Sequence, residues 1–122
     1  MAVSIVDIAT PSGLKKYRNT DLDETASAID SGAGTLHALV LDNSANGAIS
    51  YFKMWSTASG SVTVGTTAPD FVFEVAASTK RTVVFPEGLA YPDALSAACV
   101  TTAGTAGTTG PTSAAALEVI FE

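Results

Sequence analysis

Charge is scarce in this 122-residue chain, and most of what is present is negative. Only 15% of the residues are Asp, Glu, Lys or Arg, against about 25% in an average soluble domain. Twelve acidic residues outnumber six basic ones, which gives a formal net charge of −6. The basic residues are also scattered along the chain. The sequence therefore predicts neither a nucleic-acid footprint nor attraction to an anionic membrane.

Cysteine and histidine occur once each, as Cys99 and His37. A single cysteine excludes an intramolecular disulfide, and a lone histidine without suitably spaced partners disfavours a metal site. The one nucleophilic arrangement that these residues allow is a Cys99–His37 dyad. We interpret both as structural residues, and we expect no enzyme and no cofactor. No phosphate-binding loop or nucleophile elbow is present either.

Long apolar runs are absent as well. The amino terminus has no basic segment followed by an apolar stretch, which is the pattern of a secretory signal. No run approaches the roughly 20 apolar residues that a membrane helix needs. We therefore expect the protein to be made and folded in the reducing cytoplasm of a host cell.

Short alternating runs of apolar and polar residues are abundant, and turn residues separate them. Between Thr35 and Leu95 nearly every gap between these runs carries a turn signal. Asn46-Gly47, for example, suits the two positive-φ positions of a type I′ hairpin turn. About eight strands at roughly ten-residue spacing predict an all-β antiparallel sandwich, jelly-roll or immunoglobulin-like, that forms a single domain over residues 1–122.

Several segments depart from this pattern. Residues 1–19 favour a strand near the start and then a loop or extended N-terminal arm. Residues 101–113 favour a flexible Thr/Gly-rich loop. We expect one strand over residues 21–30, a short strand at 61–64 and a tight turn at 86–88.

The basic residues Lys15, Lys16 and Arg18 are the candidate partner-contact residues. They lie in the most basic stretch of an otherwise acidic chain. We expect the arm that carries them to dock on an acidic neighbour.

The densest acidic cluster is Asp21, Asp23 and Glu24. Carboxylate pairs cleave glycosides in some enzymes, and carboxylate oxygens bind calcium in others. This spacing lacks the glycine and the later glutamate of an EF-hand loop, so we interpret the cluster as a solvated loop.

Two aromatic residues suggest an alternative function. Tyr51 and Trp55 are four residues apart in a predicted strand and therefore share a face. Such a face serves as a stacking platform in carbohydrate-binding modules. Core and rim packing is the commoner use of these residues.

Residues 39–91 carry a resemblance to a known class of proteins. Asp42-Asn43-Ser44 ends one strand, Val64-Gly65-Thr66-Thr67-Ala68-Pro69 forms a loop, and Phe85-Pro86-Glu87-Gly88-Leu89-Ala90 follows a later strand. This set resembles small virion proteins of tailed bacteriophages, particularly cyanobacterial and marine phages, and in size it is most similar to capsid decoration, or cement, proteins. A tail or neck component of the same virion is the alternative.

The resemblance implies a non-enzymatic β-sandwich subunit on the capsid exterior. Its partner would be the major capsid protein, whose lattice it would stabilise, and it would form a homo-oligomer, with a trimer favoured. It implies no functional residues that transfer position by position.

Overall fold

The protein is almost entirely β-structure in the computed structural model, which describes residues 3–7 and 13–122. The described residues form nine strands in two antiparallel sheets, with strand orders β1-β2-β9-β4-β7 and β3-β8-β5-β6. The all-β sandwich predicted from the sequence is confirmed. The strands are β1 (Val3–Asp7), β2 (Lys15–Leu22), β3 (Ser27–Asp30), β4 (Gly34–Asp42), β5 (Ser50–Trp55), β6 (Phe71–Val75), β7 (Lys80–Tyr91), β8 (Leu95–Val100) and β9 (Ala115–Phe121).

The strand pairing is that of a long hairpin rolled into two sheets. β5 pairs with β6 at the tip, and β4 with β7, β3 with β8 and β2 with β9 follow toward the ends of the chain. Successive pairs alternate between the four-stranded and the five-stranded sheet, and rolling brings β9 beside β4 and β8 beside β5. This is jelly-roll topology, which decides between the two arrangements left open by the sequence.

The core lies between the two sheets, where each strand contributes every second side chain. Leu39 and Leu41 of β4 and Leu117 and Val119 of β9 are fully buried from the five-stranded side, and Phe52 of β5 from the other. Each such side chain stabilises the fold by about 1.5–3 kcal/mol through burial alone. None of the described residues forms a helix long and apolar enough to span a bilayer.

The prediction of a loop or extended N-terminal arm is wrong for residues 15–19. These residues form most of β2, which pairs with β9 on one side and with β1 on the other. The alternation of buried Tyr17 and Asn19 with more exposed neighbours makes this a strand. The Asn19 side chain donates to the Tyr17 hydroxyl at 3.1 Å, so a polar residue is accommodated in the interior. Residues 1, 2 and 8–12 of the predicted arm lie outside the described residues.

Residues 21–30 form two strands instead of one. β2 ends at Leu22 and β3 begins at Ser27. The side chain of Asp23 accepts a hydrogen bond of 2.9 Å from the Thr25 amide. That local bond favours a turn over continued extension.

The strand expected at residues 61–64 is absent. Ser61 closes a 3₁₀ turn, Ser59–Ser61, in which its amide donates to the Ala58 carbonyl at 2.9 Å. The Thr66 and Thr67 amides both donate back to the Thr63 carbonyl, at 3.0 and 2.8 Å. These local bonds occupy backbone amide and carbonyl groups that would otherwise pair with a neighbouring strand, so no strand forms here.

The turn expected at residues 86–88 lies inside a strand. Leu36 of β4 pairs with Leu89, whereas Ala38 pairs with Val84, so β7 bulges outward between these two positions. Gly88 has a φ of +75°, which glycine adopts without steric cost. β7 continues to Tyr91 after the bulge, although the sequence around residues 89–93 shows no strand pattern.

Candidate partner-contact face

The structure brings two of the three candidate basic residues together on the outer surface of the five-stranded sheet. Lys16 and Arg18 alternate with the buried Tyr17 and Asn19 and therefore point away from the core. Lys15 has the opposite orientation and lies at the exposed end of β2. A role of all three in contacting a partner stays a prediction.

Lys16 and Arg18 both pair with one carboxylate of β9. Lys16 Nζ is 3.6 Å and Arg18 Nε is 3.5 Å from Glu118 Oε1. β2 and β9 are neighbouring strands, and Arg18 and Glu118 occupy directly opposite positions. All three side chains retain solvent access. Such exposed ion pairs contribute only about 0–1 kcal/mol to stability.

A second ion pair lies on the same surface. Lys80 Nζ of β7 is 3.7 Å from Asp42 Oδ2 of β4. The Ser44 hydroxyl donates to Asp42, and together with the Ser44 amide and the Lys80 charge it holds the pKa of this carboxyl below its usual value. Asp42 is therefore ionised throughout the neutral range.

Apolar side chains lie between and beside these charges. Ile120, Ala38 and Val84 occupy paired positions across β9, β4 and β7. Val84 is 62% exposed, the highest value among the exposed large apolar residues of the described part of the chain. Val40 lies next to them and lines a shallow groove of about 90 Å³ together with Arg18 and other residues of this surface.

We call this surface the open face. It combines three basic, two acidic and several apolar or small side chains on four adjacent strands. Its residues are Lys16, Arg18, Ala38, Val40, Asp42, Lys80, Thr82, Val84, Ala116, Glu118 and Ile120.

The outer surface of the four-stranded sheet is covered along its two central strands, β8 and β5. Lys53 of β5 points outward, yet it is only 1% exposed. Its Nζ donates to the carbonyls of Gly104 and Gly107 at 2.6 and 3.3 Å. Burial lowers the pKa of Lys53. Residues 101–114, which contain the Thr/Gly-rich segment and connect β8 to β9, therefore lie over this sheet; the predicted flexibility of residues 101–113 stays a prediction.

A second loop, residues 56–70, covers the part of that surface around Trp55, whereas Val72 on the edge strand β6 remains exposed. Trp55 is 1% exposed, and its Nε1 donates to the Thr67 carbonyl at 3.0 Å. The two loops also meet, because a Cβ on Gly65 would collide with the Thr108 side chain. The platform of Tyr51 and Trp55 expected for sugar binding is therefore not formed, since the indole ring is enclosed by protein.

The remaining candidates do not form a catalytic arrangement. Cys99 is fully buried in β8, and burial raises its pKa to about 12. His37 lies on β4 in the other sheet, with Nε2 3.2 Å from Glu122 Oε2. The described residues contain no group of three His, Cys, Asp or Glu side chains placed to hold a metal.

A cleft of about 230 Å³ lies where residues 45–48, in the connection between β4 and β5, meet Pro111 and Thr112. This is below the 300–1,000 Å³ of typical small-molecule sites. Asn46 supports its wall by donating to the Asn43 side chain at 3.0 Å and accepting from the Ser113 amide at 2.8 Å. The cleft is thus part of the loop packing at that end of the sandwich.

Sequence reasoning missed most of the open face. Glu118 and Ile120 alternate visibly with buried Leu117, Val119 and Phe121, so the orientation of β9 was readable. The sequence could not predict which residues lie beside Glu118. Arg18 is 100 residues away in the sequence, and its pairing with Glu118 depends on the order of the strands in the folded sheet. No family model, curated protein or solved structure matches the chain.

Proposed function

We propose that this protein is a non-enzymatic structural subunit of a tailed-phage virion, and specifically a capsid decoration protein. It binds the outer surface of the assembled major capsid lattice and stabilises it. The resemblance over residues 39–91 supports this setting, and a jelly-roll fold is compatible with it, since jelly rolls occur in viral capsid proteins as well as in lectins and cupins.

The observation that carries the proposal is the difference between the two outer surfaces of the sandwich. Loops cover the central strands of one of them, whereas the open face is a broad sheet surface that presents charged and apolar side chains. A flat surface of this kind suits contact with another large surface. The clefts of about 230 and 90 Å³ are small for a substrate site.

Binding to the lattice would stabilise it by mass action. A subunit that binds assembled capsid and not the free capsid protein shifts the equilibrium toward the assembled state. A rigid sandwich needs little conformational ordering on binding, so more of its contact energy is available for this effect.

We further propose that the subunit self-associates as a trimer, on the basis of the same resemblance. Closed rotational symmetry would place identical surfaces of each copy toward the lattice. Mass measurement of the purified protein at micromolar concentration tests this, and a strict monomer at all concentrations would weaken the cement role.

The decisive experiment adds the purified protein to expanded capsids that lack it. Cryo-electron microscopy should then show symmetric density on the capsid exterior, and the capsids should rupture at a higher temperature than undecorated ones. Absence of bound copies, together with density at the tail or neck of complete virions, would instead establish the alternative virion position.

A further inference from the structure

We propose that the open face is the surface that docks on the partner, and that the partner surface is a protein surface that carries acidic and apolar side chains. This inference rests on the proposed function, in which that surface belongs to the capsid lattice. It replaces the expectation of a basic arm, because the basic residues lie in a paired strand.

Charge is distributed unevenly between the open face and the rest of the chain. The open face holds three of the six basic residues, Lys16, Arg18 and Lys80, but only two of the twelve acidic ones. It is therefore net positive by one charge on a protein with a net charge of −6. A complementary partner is acidic, and the acidic remainder of the molecule would be directed away from it.

The basic side chains lie toward the two lateral margins of the open face. Lys16 and Arg18 come from β2 on one side, and Lys80 comes from β7, the edge strand on the other. The small and apolar residues Ala38, Val40 and Ile120 lie between them on β4 and β9. Glu118 and Asp42 lie on these same two strands, so charged and apolar side chains are interleaved across the open face, a mixture that is compatible with a protein interface.

Docking through the face is favoured over docking through the edge of the sheet. The edge strand β7 carries Lys80 and Arg81 at one end and Pro86 in the bulge. Charges, proline and bulges are features that prevent edge-to-edge strand addition. The face has no such obstruction.

Protein fits the open face better than nucleic acid does. Glu118 lies within 3.6 Å of both Lys16 and Arg18, and Asp42 is beside Lys80. A phosphate backbone would meet these two carboxylates as well as the cations, which disfavours it. A protein surface can match both signs of charge.

The test measures binding of variants to undecorated capsids. Arg18→Glu should weaken binding by about tenfold, because it reverses charge at the proposed contact. The matched control is Arg81→Glu. It makes the same change in net charge at an exposed position outside the open face, and binding should stay within about threefold of the unchanged protein.

A second pair of variants tests the apolar part and does not depend on the first pair. Val84→Asp should weaken binding by about tenfold, since it places a charge on the most exposed apolar side chain of the face. Val72→Asp on β6 is the control, because Val72 is also exposed but belongs to the other sheet. Circular dichroism and thermal unfolding should show all four variants folded.

The possible results separate the two proposals. Failure of the unchanged protein to bind capsids overturns the decoration function and this inference together. Capsid binding that both open-face variants leave unchanged overturns this inference alone. Loss of binding in the open-face variants but not in their controls supports it, as does weaker binding of the unchanged protein when salt is raised to screen the charges.

Discussion

Lys16 and Lys53 both point away from the core of the same sandwich, one from each sheet, yet their surroundings are opposite. The Lys16 side chain is 40% exposed and pairs with Glu118 across the surface. Lys53 is buried beneath residues 101–114 and donates to two carbonyls there. The comparison shows that outward orientation on a strand does not imply exposure, since loops can form a third layer over a sheet.

This difference assigns different tasks to the two surfaces. On the four-stranded side, the outward residues Lys53 and Trp55 of β5 hold the covering loops, so changes to them should affect folding. On the open face, the charged pairs contribute little to stability, so changes there should affect binding. Four predictions test whether the covered residues stabilise the fold, and they are ordered from the largest expected effect to the smallest.

Trp55→Ala should lower the free energy of unfolding by about 3–5 kcal/mol, as expected for removal of a buried tryptophan. Trp55→Phe should cost less, because it retains most of the packing and loses the bond to Thr67. Denaturant unfolding followed by circular dichroism measures both. A loss below about 1 kcal/mol for the alanine variant would show that residues 56–70 do not enclose the ring in solution.

Lys53→Met should cost about 2 kcal/mol, because the carbonyls of Gly104 and Gly107 lose a charged donor. Lys16→Met makes the same chemical change on the open face and should stay within about 0.5 kcal/mol of the unchanged protein. The same unfolding measurement compares the two. Equal effects would contradict the distinction between a covered and an open surface.

Gly65→Ala should cost about 1–2 kcal/mol. Gly65 has a φ of +97° and faces the Thr108 side chain where the two covering loops meet, so a methyl group there meets both backbone strain and a collision. Gly60→Ala is the control within the same loop, since a Cβ there has open space. The shift in melting temperature of each variant gives the measurement, and equal shifts would argue against contact between the loops.

Cys99 should react with a thiol reagent at neutral pH only when the protein unfolds, because burial raises its pKa to about 12 and excludes the reagent. The raised value means that the unfolded state, near 9.0, loses its proton first as the pH rises. The contribution of this thiol to stability is therefore complete below pH 9 and declines between pH 9 and about 12. Cys99→Ala should remove that part of the alkaline decline, and rapid labelling of the native protein would show that the core opens.

The strand pattern was readable because alternation is a local property. Phe52 and Met54 alternate with Lys53 and Trp55, and one set is indeed in the core. Alternation depends only on residues that are neighbours in sequence. The type I′ hairpin expected at Asn46-Gly47 is wrong, because β4 and β5 lie in different sheets and neither Asn46 nor Gly47 has a positive φ.

Other features required information that alternation does not contain. Residues 15–19 were misread because their basic side chains suggested a loop, although Tyr17 and Asn19 face the core. The interior place of Asn19 depends on partners such as Tyr17 in the folded state. Jelly-roll topology could not be read either, since strand lengths and turns are similar in both types of sandwich.

The sequence by itself determined that this chain is an all-β sandwich with an acidic, low-charge surface and few residues suited to catalysis. The tertiary structure alone decided which outward side chains meet solvent. Whether Lys53 and Trp55 are buried depends on loops that fold back from elsewhere in the chain, and the pairing of Arg18 with Glu118 depends on strands from opposite ends of it. Such contacts join residues that are distant in sequence, so no local pattern encodes them.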